Sequence, residues 1–282
     1  MKSDNMQFTT IFQNKLQRAL RYPSLYLHYV KLEIAGMMEY KLDFAVGIFA
    51  MFLANGVIPL ILIWVIFTQV DSINGWTFPQ LLLLNGLSTL VFGVWHTFAS
   101  GGVRHIERGI QMGELDRVLI RPANTLIQMI AERFDEDGIG DVIGGFLKIG
   151  LASSMLSLVW SPYNILLILI FVAGGFLILF AIILAAACLA FWTTRVHSFL
   201  NIITNFSRFT EYPIEIYHPA IIFLLTFILP FAFVNYYPTQ IFIGKGMHIE
   251  WAFYTPVVGI ILFIIAYAIW KVGLKSYTST GS

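Results

Sequence analysis

The feature that limits this chain most is the return, six times in 282 residues, of an apolar run close to twenty residues long. The runs are Phe44–Phe67, Gln80–Ser100, Val142–Trp160, Asn164–Trp192, Pro219–Asn235 and Trp251–Trp270. A twenty-residue helix rises about 30 Å, the thickness of a bilayer's hydrocarbon core. In lipid each backbone N–H and C=O must find a partner without water, which leaves helices and closed barrels. The runs do not alternate with period two, so they read as helices. The expected fold is an all-α polytopic membrane protein with six transmembrane helices. Composition agrees: 58% of residues are hydrophobic and 12% charged, and soluble domains carry about 25% charged residues.

Charge placement orients the runs. With the N-terminus inside, the inner side receives Lys2, Lys15, Arg18, Arg21, Lys31 and Lys41, then Arg104, Arg108, Arg117, Arg121 and Arg133, then Arg195 and Arg208, then Lys271 and Lys275. The outer side receives Lys245, and Lys148 lies within the third run. This bias follows the positive-inside rule and calls for an even number of crossings, with both termini cytosolic in the inner cell membrane. Trp76, Trp160, Trp251 and Trp270 stand at run ends, where interfacial anchors are expected. Residues 1–20 lack the compact apolar core of a cleavable signal peptide. The single cysteine, Cys188, excludes an internal disulfide.

Two stretches admit two readings each. Residues 23–42 alternate Leu25, Val30, Ile34 and Met38 with Lys31, Glu33 and Glu39. They read as an amphipathic helix on the inner surface, or as an extension of the first span. Residues 196–218 are polar for a span but helical in pattern up to Tyr212. Either they form a cytoplasmic connector and 219–235 is the fifth span, or 196–212 is the fifth span and Pro219–Pro238 a re-entrant hairpin. Hydropathy favours the first reading; the prolines at 213, 219, 230 and 238 favour the second. Kinks are expected at Pro59, Pro230 and Pro256.

The usual catalytic signatures are missing: the sequence has no G-x-x-x-x-G-K-[ST], H-E-x-x-H, G-x-S-x-G or C-x-x-C. None of its 16 acids falls inside a run, which weakens a proton- or sodium-coupled mechanism without removing it, since Asp43, Glu211 and Glu215 lie near run ends. Two polar residues do fall inside. His96 suits a hydrogen bond between helices or a substrate contact. Lys148 can reach the inner surface along its own stem or line a substrate path. Gly140 and Gly144, four apart, allow close helix packing.

The polar segment 101–141 carries the most information. Ile106, Ile110, Leu115, Val118 and Leu119 recur at helical spacing until Pro122 stops them. Asn124 or Thr125 can cap a second helix running to about Phe134. Two short amphipathic helices joined by an arginine-proline elbow exceed what a bare connection needs. Their mixed charge suits a protein partner better than anionic lipid.

With "GELDRVLIRPANTLIQMIAERFDEDGIGD", "FW" (Phe191, Trp192) and "YPIEIYHPAIIFLLTFILPFAFVNYYPTQIFIG", the chain resembles the ABC-2-type permeases, in the branch that includes viologen-exporter-like permeases. The resemblance runs from about Tyr29 to Gly273. It implies the six-span permease half of an ATP-driven exporter with type V exporter-like architecture. Residues 1–43 would be a cytosolic N-terminus with an interfacial connecting helix. Residues 44–282 would be one transmembrane domain that includes the coupling segment 101–141. It also implies that Gly113, Glu114, Leu115, Asp116, Arg117, Leu119, Arg121 and Pro122 form a coupling element docked on a separate ATP-binding subunit, where ATP and Mg would bind. This chain would hold no cofactor of its own. A second permease copy or related permease and membrane lipid complete the expected partners, with no nucleic acid. His96 and Lys148 remain the candidates for the substrate path of a hydrophobic or amphiphilic molecule.

Overall fold

A computed structural model describes residues 25–193, 196–246 and 249–278. The expectations for Lys2, Lys15, Arg18, Arg21 and Arg195, and for the start of the stretch 23–42, lie outside the described residues. Within them the chain is helical: α1 (Leu25–Phe67), α2 (Phe78–Gln111), α3 (Glu114–Leu119), α4 (Thr125–Ala131), α5 (Asp137–Leu156), α6 (Pro162–Phe191), α7 (His197–Ser207), α8 (Pro219–Ile228), α9 (Phe231–Ile243) and α10 (Ile249–Ser276). Five of these, α1, α2, α5, α6 and α10, are long and apolar enough to cross a bilayer; α8 and α9 form a pair bent by 75° that adds a sixth if counted as one span.

Glycine sets the helix register. A Cβ on Gly86 or Gly93 of α2 would stand 3.0 Å or less from Ile149 and Val142 of α5, and one on Gly145 or Gly138 would run into Leu90 and Thr97. These pairs make α2 and α5 antiparallel neighbours with backbones in contact. Gly140 and Gly144 face Ile48 and Gly56 of α1 in the same way, the close approach that their spacing predicts. Along this second seam the numbering rises together, so α1 and α5 point the same way. So do α6 and α10, where Gly174 meets Pro256 and Gly273 meets Phe191.

That last pairing decides the topology. If α6 and α10 run in one direction, the chain between them must cross once, net, in the other. It does so in pieces. The Val196 N–H donates to Glu107 near the end of α2 at 3.0 Å, so α7 starts at the end of the bundle that carries α3 and α4. Asn235 then donates to the Thr210 carbonyl at 2.6 Å, and Val234 packs on Gly175, halfway along α6. From there α9 continues to Phe242, whose ring lies 5.8 Å from Trp160 at the opposite end. Neither 196–212 nor Pro219–Asn235 is therefore a straight span. The run Pro219–Asn235 breaks at Leu229–Pro230, because proline has no N–H to continue the helix.

Two further expectations change. The second span does not end at Ser100: α2 continues through a π-helical turn, His96–Ser100, to Gln111. Trp76 and Trp270 stand at run ends but are buried, Trp76 against Tyr236 and Trp270 against Phe191. α1 contains a 3-10 turn, Met38–Tyr40, with Tyr40 at φ −113° and ψ 63°. The part before that turn packs on the polar segment, Tyr29 accepting from Arg121 at 3.2 Å, and Tyr26 donates to the Phe98 carbonyl of α2 at 2.8 Å.

Candidate functional site

Asp141 and Lys148 stand seven residues apart on α5, two turns, and so share a face. Lys148 is 0% exposed. Its ammonium donates to the Asn55 carbonyl and Asn85 Oδ1, both at 2.7 Å, and to Thr89 Oγ1 at 2.5 Å. The expected reach to the inner surface is corrected: the side chain turns inward, tying α1, α2 and α5 together. Asn55 lies in a π-helical turn, Phe52–Val57, just ahead of Pro59, and its carbonyl receives the lysine.

Asp141, 1% exposed, accepts from Asn55 Nδ2 on one oxygen and meets His96 Nδ1 on the other, each at 2.8 Å. It packs beside Gly93, well within the second run. The expectation that no acid sits at membrane depth is corrected too, because α5 starts at Asp137, five residues before the apolar run. His96 and Lys148, chosen separately, belong to one network joined through Asn55 and Asp141.

Beside this network a cleft of about 230 Å³ opens between α1, α2 and the α7 region. Ser88, His96, Arg104, Thr204, Arg208 and Glu211 contribute its polar wall; Ala54, Ile58 and Leu62 of α1 contribute an apolar one. Arginine at the centre of a bilayer costs about 2.5–3.5 kcal/mol on insertion scales. Within a bilayer an exposed Arg208 would have to face water or a polar group, not acyl chains. Sequence reading missed Asn55, Asn85, Ser88, Asp141 and Arg208, and marked Glu211 only as a carboxylate near a run end. The usable signals were Asn55 just ahead of Pro59, and Asn85 and Thr89 one turn apart inside an apolar run. Among the described residues no group of three His, Cys, Asp or Glu side chains could hold a metal ion.

The polar segment forms a braced elbow. Gly113 (φ +69°) turns the chain from α2 into α3. Asn124 caps α4, accepting from the N–H groups of Leu126 and Ile127 at 3.0 and 3.3 Å. α4 stops at Ala131, short of the expected Phe134. The Glu114 carboxylate is bonded to His105 Nε2 at 2.7 Å, and that bond holds it below the usual carboxylate range. Arg121 bonds Glu132 and donates to the Tyr29 hydroxyl at 3.2 Å; the Glu132 bond raises its already high pKa. Asp116 lies against the Tyr277 hydroxyl at the end of α10. Leu115 is 0% exposed, in the core of the elbow. It is not the exposed knob its place in the motif suggests. The exposed apolar groups are Leu119 at 45%, Ile120 at 84%, and Met112; Arg117 and Pro122 are exposed as well. Ile120 and Met112 were not among the expected residues. Pro122 ends the helix at Leu119, and Ile120 is thereby turned out.

A family model described as ABC-2 family transporter protein matches residues 53–281. No curated protein matches the chain.

Proposed function

The chain belongs to the ABC-2 transporter family, and from that premise we propose that it is the permease subunit of an ATP-driven exporter moving an amphiphilic substrate. A separate ATP-binding subunit would hydrolyse ATP with Mg and drive the motion. A second permease, identical or related, would complete the pathway. The basic end would be cytosolic, with both termini there, in the cytoplasmic membrane.

The observation that carries this reading is the elbow. It is braced by Glu114–His105, Arg121–Glu132 and Arg121–Tyr29, yet it ends in the exposed pair Leu119 and Ile120. A rigid lever with an apolar tip can pass a push from a partner into α2, which lines the cleft directly. Glu107 extends the connection, since its carboxylate also accepts the first N–H before α7. In this reading Glu114, Asp116 and Arg121 hold the lever, while Leu119 and Ile120 meet the motor. Gly113 and Pro122 set its ends.

The test is substitution at the tip. Ile120→Asp should abolish transport-linked ATPase stimulation, while the purified chain keeps its unfolding midpoint. Leu115→Asp should lower that midpoint, because it buries a carboxylate in the elbow. Full stimulation with Ile120→Asp would sink the assignment. Transport that follows an ion gradient and ignores ATP would favour the other reading, a stand-alone transporter or channel subunit.

A further inference from the structure

We infer that the cleft between α1, α2 and the α7 region binds the anionic head group of an amphiphile, with the apolar part along α1. The inference rests on the permease reading for its role in transport, but on the cleft alone for its chemistry.

Three cations meet two acids there. Arg104 and Arg208 stand on the polar wall and Lys148 directly behind it; Asp141 and Glu211 oppose them. Asp141 is already committed, both oxygens being taken by Asn55 and His96. Lys148 is held by three neutral oxygens, and among the described residues it has no carboxylate within ion-pair distance. The charge balance of the site therefore leaves a positive excess in a low-dielectric setting, where an anion is the natural complement.

A second observation points to a ligand independently of charge. The Ser88 side chain lines the cleft and is 1% exposed, yet its hydroxyl has no hydrogen-bond partner among the described residues. A buried hydroxyl left without a partner is costly. A head-group oxygen in the cleft would accept its hydrogen bond, and Arg208 on the same polar wall would supply a charge-assisted one. Across from them Ala54, Ile58 and Leu62 belong to the helix with the most lipid-like exposure in the bundle. One wall thus suits a phosphate or carboxylate, and the other an acyl or aryl chain.

The test uses three dodecyl probes below their micelle concentrations: dodecyl phosphate, dodecylphosphocholine and dodecyltrimethylammonium. Binding is measured on the full chain in phosphatidylcholine nanodiscs. Dodecyl phosphate should bind at least tenfold more tightly than the cation, with the zwitterion between them. Arg208→Glu should reverse that order. A reversal is a gain of cation binding, which a misfolded protein would not show. Ser88→Ala should weaken dodecyl phosphate about threefold or more. Equal affinities for the three probes, tightest binding of the cation, or an unchanged order in Arg208→Glu would overturn the proposal. Competition by phosphatidylglycerol would identify bilayer lipid as the source of the anion, and its absence a transported solute; both support the anionic site. Failure of the permease reading is separable. A chain that binds the probes in the stated order but has no ATP-linked transport loses the motor and keeps the site.

Discussion

Lys148, Asn55 and Asn85 show how acceptors from separate helices hold one buried charge. The lysine ammonium takes the Asn55 carbonyl, in the π-helical turn of α1, at 2.7 Å. Asn85 and Thr89 supply the other two acceptors from α2. A buried ammonium is tolerated only when its hydrogens are all engaged, and here three acceptors meet three donors. Removing the ammonium strands those acceptors. Lys148→Met should therefore destabilise the chain by about 2–4 kcal/mol, read as a lowered unfolding midpoint in nanodiscs. An unchanged midpoint would mean that the network does not hold the three helices together. The sequence made Lys148 conspicuous, but its partners were not legible. They lie 63, 59 and 93 positions away, and only the register of three helices brings them together.

At the scale of elements, glycine does what side chains do in water-soluble cores. Lipid offers no hydrophobic drive between helices, so close backbone contact must supply the attraction. Gly140 is the tightest case on the α1–α5 seam: a Cβ there would sit 2.2 Å from the Ile48 carbonyl oxygen. Gly150, on the same helix, has nothing within 4 Å of a built Cβ. Gly140→Val should separate α1 from α5 and lower the unfolding midpoint strongly. Gly150→Ala should leave it unchanged or raise it, by up to about 1 kcal/mol from helix propensity. Equal behaviour of the two would remove close packing as the cause. The Gly140–Gly144 spacing was readable because both residues lie on one helix. The matching Gly56 was not, since its partner surface is a different span. The length of α2 was misread for a related reason. Gly101–Gly102 resembles a helix end, but a Cβ on Gly102 would stand 2.4 Å from Ile130. The glycines are there so that α4 can pack against a helix that does not stop.

For the whole molecule, hydropathy located five spans and left the remaining crossing open, because that crossing is not a property of any one run. α7 carries Thr204 and leads to Arg208 and Glu211 on the cleft wall, a polar face that a solitary span would expose to lipid. The cleft shields it, and α9, running from beside Thr210 to Phe242, completes the passage. What demands the passage is the parallel pairing of α6 and α10, a long-range fact beyond the reach of a window of twenty residues. Sidedness makes this testable. In a Cys188→Ala background, single cysteines at Ser72, Arg117, Lys245 and Lys275 would each be treated with a membrane-impermeant maleimide in oriented vesicles. One net crossing between residues 192 and 248 puts Ser72→Cys and Lys245→Cys on one side, and Arg117→Cys and Lys275→Cys on the other. Without it, Lys245→Cys would label together with Arg117→Cys, and Lys275→Cys with Ser72→Cys. Since α10 is itself a span, the last two positions must exchange sides together. Their joint placement therefore separates a composite fifth crossing from a re-entrant excursion that returns to the side it left.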